Sequence, residues 1–236
     1  SWYGLNNIGW NAAKQLQGKE LSYNNLLDLE SALSTILEFE YDQKQNSSKN
    51  INAAVILKHN NPCGAALADS PSDAFRKALD CDSTSAFGGI VAFNNNVDLA
   101  AAELLSNIFL ECVVAPSFDK EALKILHNKK NLRLLQLNKE NIKKDNESTF
   151  KSILGGILEQ DIDNEVDQTN EWSCVTQIKP ISEEFNDLRF SWKICKHVKS
   201  NAIVISKNQQ TIGIGAGQMN RVGAAKIALD SAKDSA

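Results

Sequence analysis

The chain has 236 residues, 42% hydrophobic and 23% charged, with a formal net charge of −4 at pH 7. This composition fits a globular protein with enough length for one large domain or two moderate ones. The acidic balance argues against a general nucleic-acid binder, no apolar run is long enough to span a bilayer, and five scattered cysteines without a C-x-x-C pair read as reduced thiols of a cytoplasmic protein.

The chain opens on Ser1-Trp2-Tyr3 without an initiator Met or a basic-then-apolar leader, and closes inside a helical pattern, Ala224 to Ala236. Both ends read as cut. Asn24-Asn25 is expected to cap a helix whose apolar positions are Leu26, Leu29, Leu33, Ile36 and Leu37. The polar stretch Gln43 to Asn50 is expected as a loop. Ala53 to Leu57, continuously apolar, predicts a strand covered on both faces. Ser70-Pro71 starts the next helix, with Ala74, Phe75, Ala78 and Leu79 inward. Ser85 to Gly89 reads as a glycine turn into a strand at Ile90 to Phe93, and Asp98 caps a short Ala/Leu helix. Glu111 to Ala115 is a strand ended by Pro116, Asp119 opens a helix through Leu126, and Leu132 to Leu137 is another strand.

The polar run Asn138 to Thr149 is taken as the junction between two subdomains, residues 1–145 and 146–236. Ser182 is expected to cap a helix with the apolar stripe Phe185, Leu188, Trp192, Cys195 and Val198. Strands at Ala202 to Ser206 and Thr211 to Ile214 follow, with a turn around Asn208, and a last helix begins near Asn220. This alternation predicts the α/β class. No repeat is visible in the sequence.

The most informative stretch is Lys58-His59-Asn60-Asn61-Pro62-Cys63-Gly64. A loop leaving the carboxyl end of a buried strand is where open α/β sheets bind ligands. A cation can steady developing negative charge there, and an imidazole can move a proton near neutrality. Pro62 and Gly64 are expected to pin the turn that follows. Cys63 reads either as a thiol nucleophile or as a small buried residue in a tight turn. Zinc does not fit, since Asn61 stands where a deaminase has Glu and Ala66 where it has the second Cys.

Gly213-x-Gly215-x-Gly217 lacks the dinucleotide spacing, but glycines allow close backbone approach to a ligand. With Arg221 in the following helical turn it reads either as an anion site or as a plain glycine hairpin with Arg221 in solvent. Asn201 reads as a helix C-cap, Phe87 as core and Glu111 as a solvated strand start.

Five runs together resemble the aminoimidazole-carboxamide ribonucleotide (AICAR) transformylase region of the bifunctional purine-biosynthesis enzyme family. They are Leu16 to Asn25, Lys58 to Gly64, Ser85 to Gly89, Val198 to Ala202 and Ile212 to Gln218, in the expected order over nearly the whole chain. The resemblance implies formyl transfer from 10-formyltetrahydrofolate to the 5-amino group of AICAR. It also implies a three-layer α/β/α, cytidine-deaminase-like fold used twice, the second copy incomplete here, and a cytoplasmic homodimer with active sites at the subunit interface. The partners implied are AICAR and folate, with neither nucleic acid nor membrane. A potassium ion is left open and zinc is not expected. Carried over by position, His59 resembles the general base, Lys58 the group that stabilises the oxyanion, and Asn201 the residue holding the formyl group or the AICAR carboxamide. Gly88 and Glu111 match positions that contact AICAR, Phe87 and Arg221 positions on the folate side.

The family's Arg-Tyr-Gly-Glu-Asn-Pro-His-Gln run and its C-terminal Ser-Asp-Ala-Phe-Phe-Pro-Phe-Arg-Asp segment have no counterpart, and Trp2-Tyr3-Gly4 echoes the first only superficially. An internal fragment with little turnover of its own is therefore expected, the cyclohydrolase portion lying outside it. Two rivals remain at this stage: a non-catalytic nucleotide-binding module using Gly213 to Arg221, and a thiol hydrolase using Cys63 and His59.

Overall fold

Asn52–Lys58 explains the architecture most directly, because six of its seven residues are buried. Ala53, Val55 and Leu57 feed one apolar cluster, and Ala54 and Ile56 another. A strand with apolar side chains on both faces requires a layer of helices on each side. The structure, a computed structural model, describes residues 4, 8–39, 51–142, 148–163 and 171–232. The loop expected at 43–50 lies outside the described residues, as do 143–147 of the expected junction and the final four residues.

In chain order the first elements are β1 (Lys14–Gln17), α1 (Tyr23–Leu37), β2 (Asn52–Lys58), β3 (Asn61–Ala68), α2 (Pro71–Cys81) and the short α3 (Ser83–Ala86). Then come β4 (Gly89–Phe93), α4 (Leu99–Ser106), β5 (Leu110–Ala115), α5 (Lys120–Leu126) and β6 (Arg133–Gln136). The chain continues with β7 (Ser148–Ile153), β8 (Gly156–Asp161), α6 (Ser182–Lys196), β9 (Ile203–Lys207), β10 (Gln210–Gly215) and α7 (Arg221–Ala232).

Eight strands form one mixed sheet in the order β1-β6-β5-β4-β2-β3-β10-β9, and β7 with β8 makes a separate two-stranded ribbon. β4, β5 and β6 run parallel, while β2, β3, β10 and β9 alternate in direction. Helices α2, α4 and α5 bury Phe75, Leu105 and Leu126 against one face; α1 and α6 bury Leu29, Ile36, Phe190 and Ile194 against the other. The molecule is thus a three-layer α/β/α structure.

Several local expectations hold. Ser70 Oγ accepts from the Asp73 N–H with Pro71 in the first turn of α2, and Asp98 caps α4 through the Ala101 N–H. Others shift. The cap of α1 is Ser22, which exchanges hydrogen bonds with Asn25 in a capping box, so Asn24 and Asn25 already lie inside the helix. Helix α6 starts after Ile181, whose N–H donates to the Glu184 carboxylate; Ser182 is its first residue.

The buried face of α6 is also turned. Phe190, Ile194 and Val198 go inward, whereas Leu188 is 49% and Trp192 64% exposed. The helix is apolar on two sides, and Phe190 wins the interior by stacking on Phe39 at 5.4 Å. Trp192 meets Trp172 edge-on at 5.4 Å instead. Lys193 disguises the true stripe in the sequence: it is buried, yet its Nζ reaches the Glu38 carbonyl at 3.1 Å and the Phe39 ring.

A path from helix through two-residue hairpin to helix occurs twice, as α1-β2-β3-α2 and as α6-β9-β10-α7. Both hairpin tips place two non-glycine residues at positive φ: His59 (53°) and Asn60 (60°), then Asn208 (54°) and Gln209 (55°). That is the backbone of a type I′ turn. The recurrence is one of chain path, with little side-chain identity to reveal it beforehand.

Candidate active site

Lys58, His59 and Asn61 occupy the tip of the β2–β3 hairpin. The register pairs Lys58 with Asn61 and leaves His59 and Asn60 as the whole loop. The stretch expected as a turn pinned by Pro62 and Gly64 is instead strand β3. A bulge at Cys63, where Leu57 faces Pro62 and Ile56 faces Gly64, accommodates the proline within the ladder. The site therefore sits at a tight antiparallel turn rather than in a βα loop.

A β-carbon in the left-handed region costs about 1–2 kcal/mol per residue, so two such residues require support. The Asn60 N–H donates to Asp28 Oδ1 at 2.7 Å, and Asn61 Nδ2 donates to the His59 carbonyl at 3.3 Å. Lys58 Nζ donates to the Phe87 carbonyl at 2.7 Å, which ties the tip to the turn before β4. Asn61 Oδ1 accepts from the Lys199 N–H at 3.1 Å and so joins it to the segment before β9.

Sheet topology collects the remaining candidates at the same edge. β2 ends there, β3, β4, β5, β6 and β9 begin there, and β10 returns there. Gly88, at φ 75°, donates its N–H to the Phe109 carbonyl at 2.8 Å. Phe87 is 58% exposed and packs on the Phe109 ring at 5.2 Å, so it is surface, not core. Glu111, second residue of β5, forms an ion pair with Arg133 at 2.7 Å, the arginine being only 12% exposed. Asn201 holds the Gln218 carbonyl through both its N–H and its Nδ2, at 3.0 and 2.9 Å, and its own carbonyl accepts from the Gln218 N–H. This clamps the start of β9 to the loop after β10. A cleft of about 220 Å³ lies between the two hairpins, lined by Lys58, His59, Cys63, Asp82, Ile214 and Ala216.

Of the two readings of the glycine run, the local geometry agrees with the hairpin. Carbons added at Gly213 and Gly215 fall 2.1 and 1.9 Å from the carbonyl oxygens of Ala228 and Ala224, so these glycines seat α7 on β10 and face no ligand. Only Gly217, at φ 66° with no atom within 4 Å of an added carbon, belongs to the open loop. Arg221 is exposed at the first position of α7 and takes no part in the hydrogen bonds that join the other candidates. The surroundings of Cys63 suit a small buried residue better than a nucleophile. Its Sγ donates to the Ile56 carbonyl at 3.4 Å, and burial, with the charge of Asp82 behind it, pushes the thiol up to about 12.

The family model described as the AICARFT/IMPCHase bienzyme matches residues 1–231. The chain belongs to that family. Its relatives include the bifunctional purine biosynthesis protein PurH of Prochlorococcus marinus strain MIT 9515, 66% identical over 233 residues, covering 99% of this chain and 45% of the relative. PurH of strain NATL2A is 57% identical over 232 residues, covering 98% of this chain and again 45% of its own length. The chain thus spans about half the length of the curated relatives it matches. Among solved structures, Acinetobacter baumannii RibD aligns over 45% of this chain and 35% of its own, at 16% identity and a TM-score of 0.36.

Within this AICARFT/IMPCHase chain, nothing in the sequence marked a role for Asp28 or Arg133, and Gln218 stood out only as the end of the run Ile212 to Gln218. Neither Asp28 nor Arg133 carries a local signal. Arg133 reaches Glu111 across 22 residues and Asp28 reaches Asn60 across 32, so only the closed sheet reveals what they hold. No helix of the described residues is long and apolar enough to cross a membrane.

Proposed function

We propose that the intact protein of this family transfers the formyl group of 10-formyltetrahydrofolate to the 5-amino group of AICAR in purine biosynthesis, and that this chain supplies the reacting end of the site. The observation that carries the reading is the pair Lys58 and His59 on a braced tip, facing one cleft with the second hairpin. The aryl amine is a weak nucleophile because its ring delocalises the lone pair. His59 accepts the amine proton as the new C–N bond forms at the formyl carbon. Lys58 stabilises the oxygen that becomes negative, and the bond from that carbon to the folate nitrogen then breaks with return of a proton to the nitrogen.

Asn201, anchored to Gln218, orients the formyl group or the carboxamide, and Gly88 and Glu111 bind the nucleotide. Phe87 presents an exposed ring suited to the flat folate, and exposed Arg221 is assigned to the folate side by the family resemblance. Much of the rate gain comes from holding amine and formyl carbon together. The family resemblance also brings a cytoplasmic homodimer into this proposal.

The test uses the full-length protein. His59→Ala and Lys58→Ala are each expected to lower kcat for formyl transfer by roughly 10²–10⁴-fold, with little change in nucleotide affinity measured by calorimetry. Wild-type turnover in both variants would remove the pair from the chemistry.

A further inference from the structure

The two hairpins share a device that the proposed chemistry does not by itself require. At the first tip, Asp28 Oδ1 accepts from the Asn60 N–H at 2.7 Å. At the second, Asp187 accepts from the Asn208 N–H at 2.8 Å through Oδ2 and from the Gln209 N–H at 2.6 Å through Oδ1. Each aspartate is the sixth residue of the helix preceding its hairpin, Tyr23–Leu37 in one case and Ser182–Lys196 in the other. A type I′ turn of non-glycine residues holds its central N–H groups in a strained left-handed conformation, and an ionised carboxylate is the strongest uncharged-donor acceptor available to fix them. The two tips differ in what they carry: Lys58-His59 beside the cleft, Lys207-Asn208 at the far end of β3, where the Gln209 carbonyl accepts from the Leu67 N–H.

We infer that Asp28 is a positioning residue for the proposed transfer: by bonding the Asn60 N–H it holds the β2–β3 tip so that His59 and Lys58 face the cleft. The inference rests on the functional reading above, and it makes α1 part of the machinery although no atom of Asp28 need touch either substrate. Removing the carboxylate releases the αL turn, whose residues then relax to other backbone wells. The imidazole moves with the Cα of His59. A displacement near 1 Å is enough to cost about 10²-fold in a reaction governed by alignment.

The experiment compares four variants of the full-length protein in the formyl-transfer assay, with nucleotide affinity and thermal midpoint measured alongside. Asp28→Ala is expected to lower kcat by roughly 10- to 100-fold with nucleotide affinity almost unchanged. Asp28→Asn keeps an oxygen at the same place and should recover most of that loss. Asp187→Ala removes the equivalent brace from a tip without the reacting pair, so it should lower the midpoint as Asp28→Ala does and leave kcat at the wild-type value. His59→Ala calibrates the reading beneath. Wild-type kcat in Asp28→Ala, with His59→Ala impaired, would overturn the inference and leave the function standing. An equal loss of kcat in Asp28→Ala and Asp187→Ala would also overturn it, because the role would then be stability alone. Unimpaired His59→Ala would instead bring down the functional reading.

Discussion

One methyl group at Gly215 tests how α7 is seated. A Cβ there lies 1.9 Å from the Ala224 carbonyl oxygen, whereas such carbons do not come closer than 3.0 Å. Relief moves the helix off β10 by about 1.1 Å, from 1.9 to 3.0 Å, because the obstructing atom is backbone and cannot rotate away. Overpacking of this kind costs about 1–3 kcal/mol. The upper end is expected here, since Ala224, Ala228 and Ala232 are all buried and shift together. At about 2–4 °C per kcal/mol for a chain of this size, Gly215→Ala should lower the melting midpoint by roughly 6–12 °C. Gly217→Ala is the control. It sits at φ 66° with nothing within 4 Å of the added carbon. Its cost is conformational only, on the order of 1 kcal/mol, or roughly 2–4 °C. Circular dichroism melts of both variants, checked by urea titration, decide the matter. If Gly215→Ala were no less stable than Gly217→Ala, the close seating of α7 on β10 would be wrong.

Acid titration probes a second joint. Glu38, at the end of α1, accepts from His197 Nε2 at 3.0 Å and pairs with Lys196 at 3.2 Å. Burial pushes its carboxyl up, but the His197 hydrogen bond and the Lys196 charge outweigh that and hold it below its ordinary 4.5. A depressed carboxyl stabilises in full above its unfolded value and loses that contribution as pH falls through the folded one. Glu38→Gln should therefore be less stable than wild type at pH 7, with the gap closing below pH 4.5; a gap independent of pH would refute the pairing. Thiol chemistry supplies a third check. With Cys63 raised to about 12, iodoacetamide at neutral pH should label exposed Cys174 and spare Cys63 until the chain unfolds. In the full-length protein, Cys63→Ser should keep the proposed formyl transfer, and its loss would revive the thiol-hydrolase reading.

What was legible in advance is what acts over three or four residues. Ser70-Pro71 and Asp98 set helix starts through their own side chains, and the unbroken apolar run at Ala53 to Leu57 demanded two covered faces wherever it lay. Misreadings arose where two local solutions were nearly equal. Ser22 and Asn24 are both capping residues two positions apart, and the capping box with Asn25 chose Ser22; α6 is apolar on two sides, and packing against Phe39 chose its buried face. Pro62 and Gly64 are turn residues by habit, yet the strand keeps them: the bulge accommodates one and Ala78 crowds the other.

The Lys58-His59 pair was visible as chemistry from residue types alone, and its family runs gave it a reaction to serve. Its geometry was not visible. The left-handed tip, the Asp28 brace 32 residues away and the Asn61 link across 138 residues to Lys199 are set by strand order and register. The chain's composition fixes which segments prefer helix or strand and which side chains can move a proton. Which of them meet is decided by the closing of one sheet, because a hydrogen bond needs a partner within about 3 Å and neighbours in space are set by the fold, not by position along the chain.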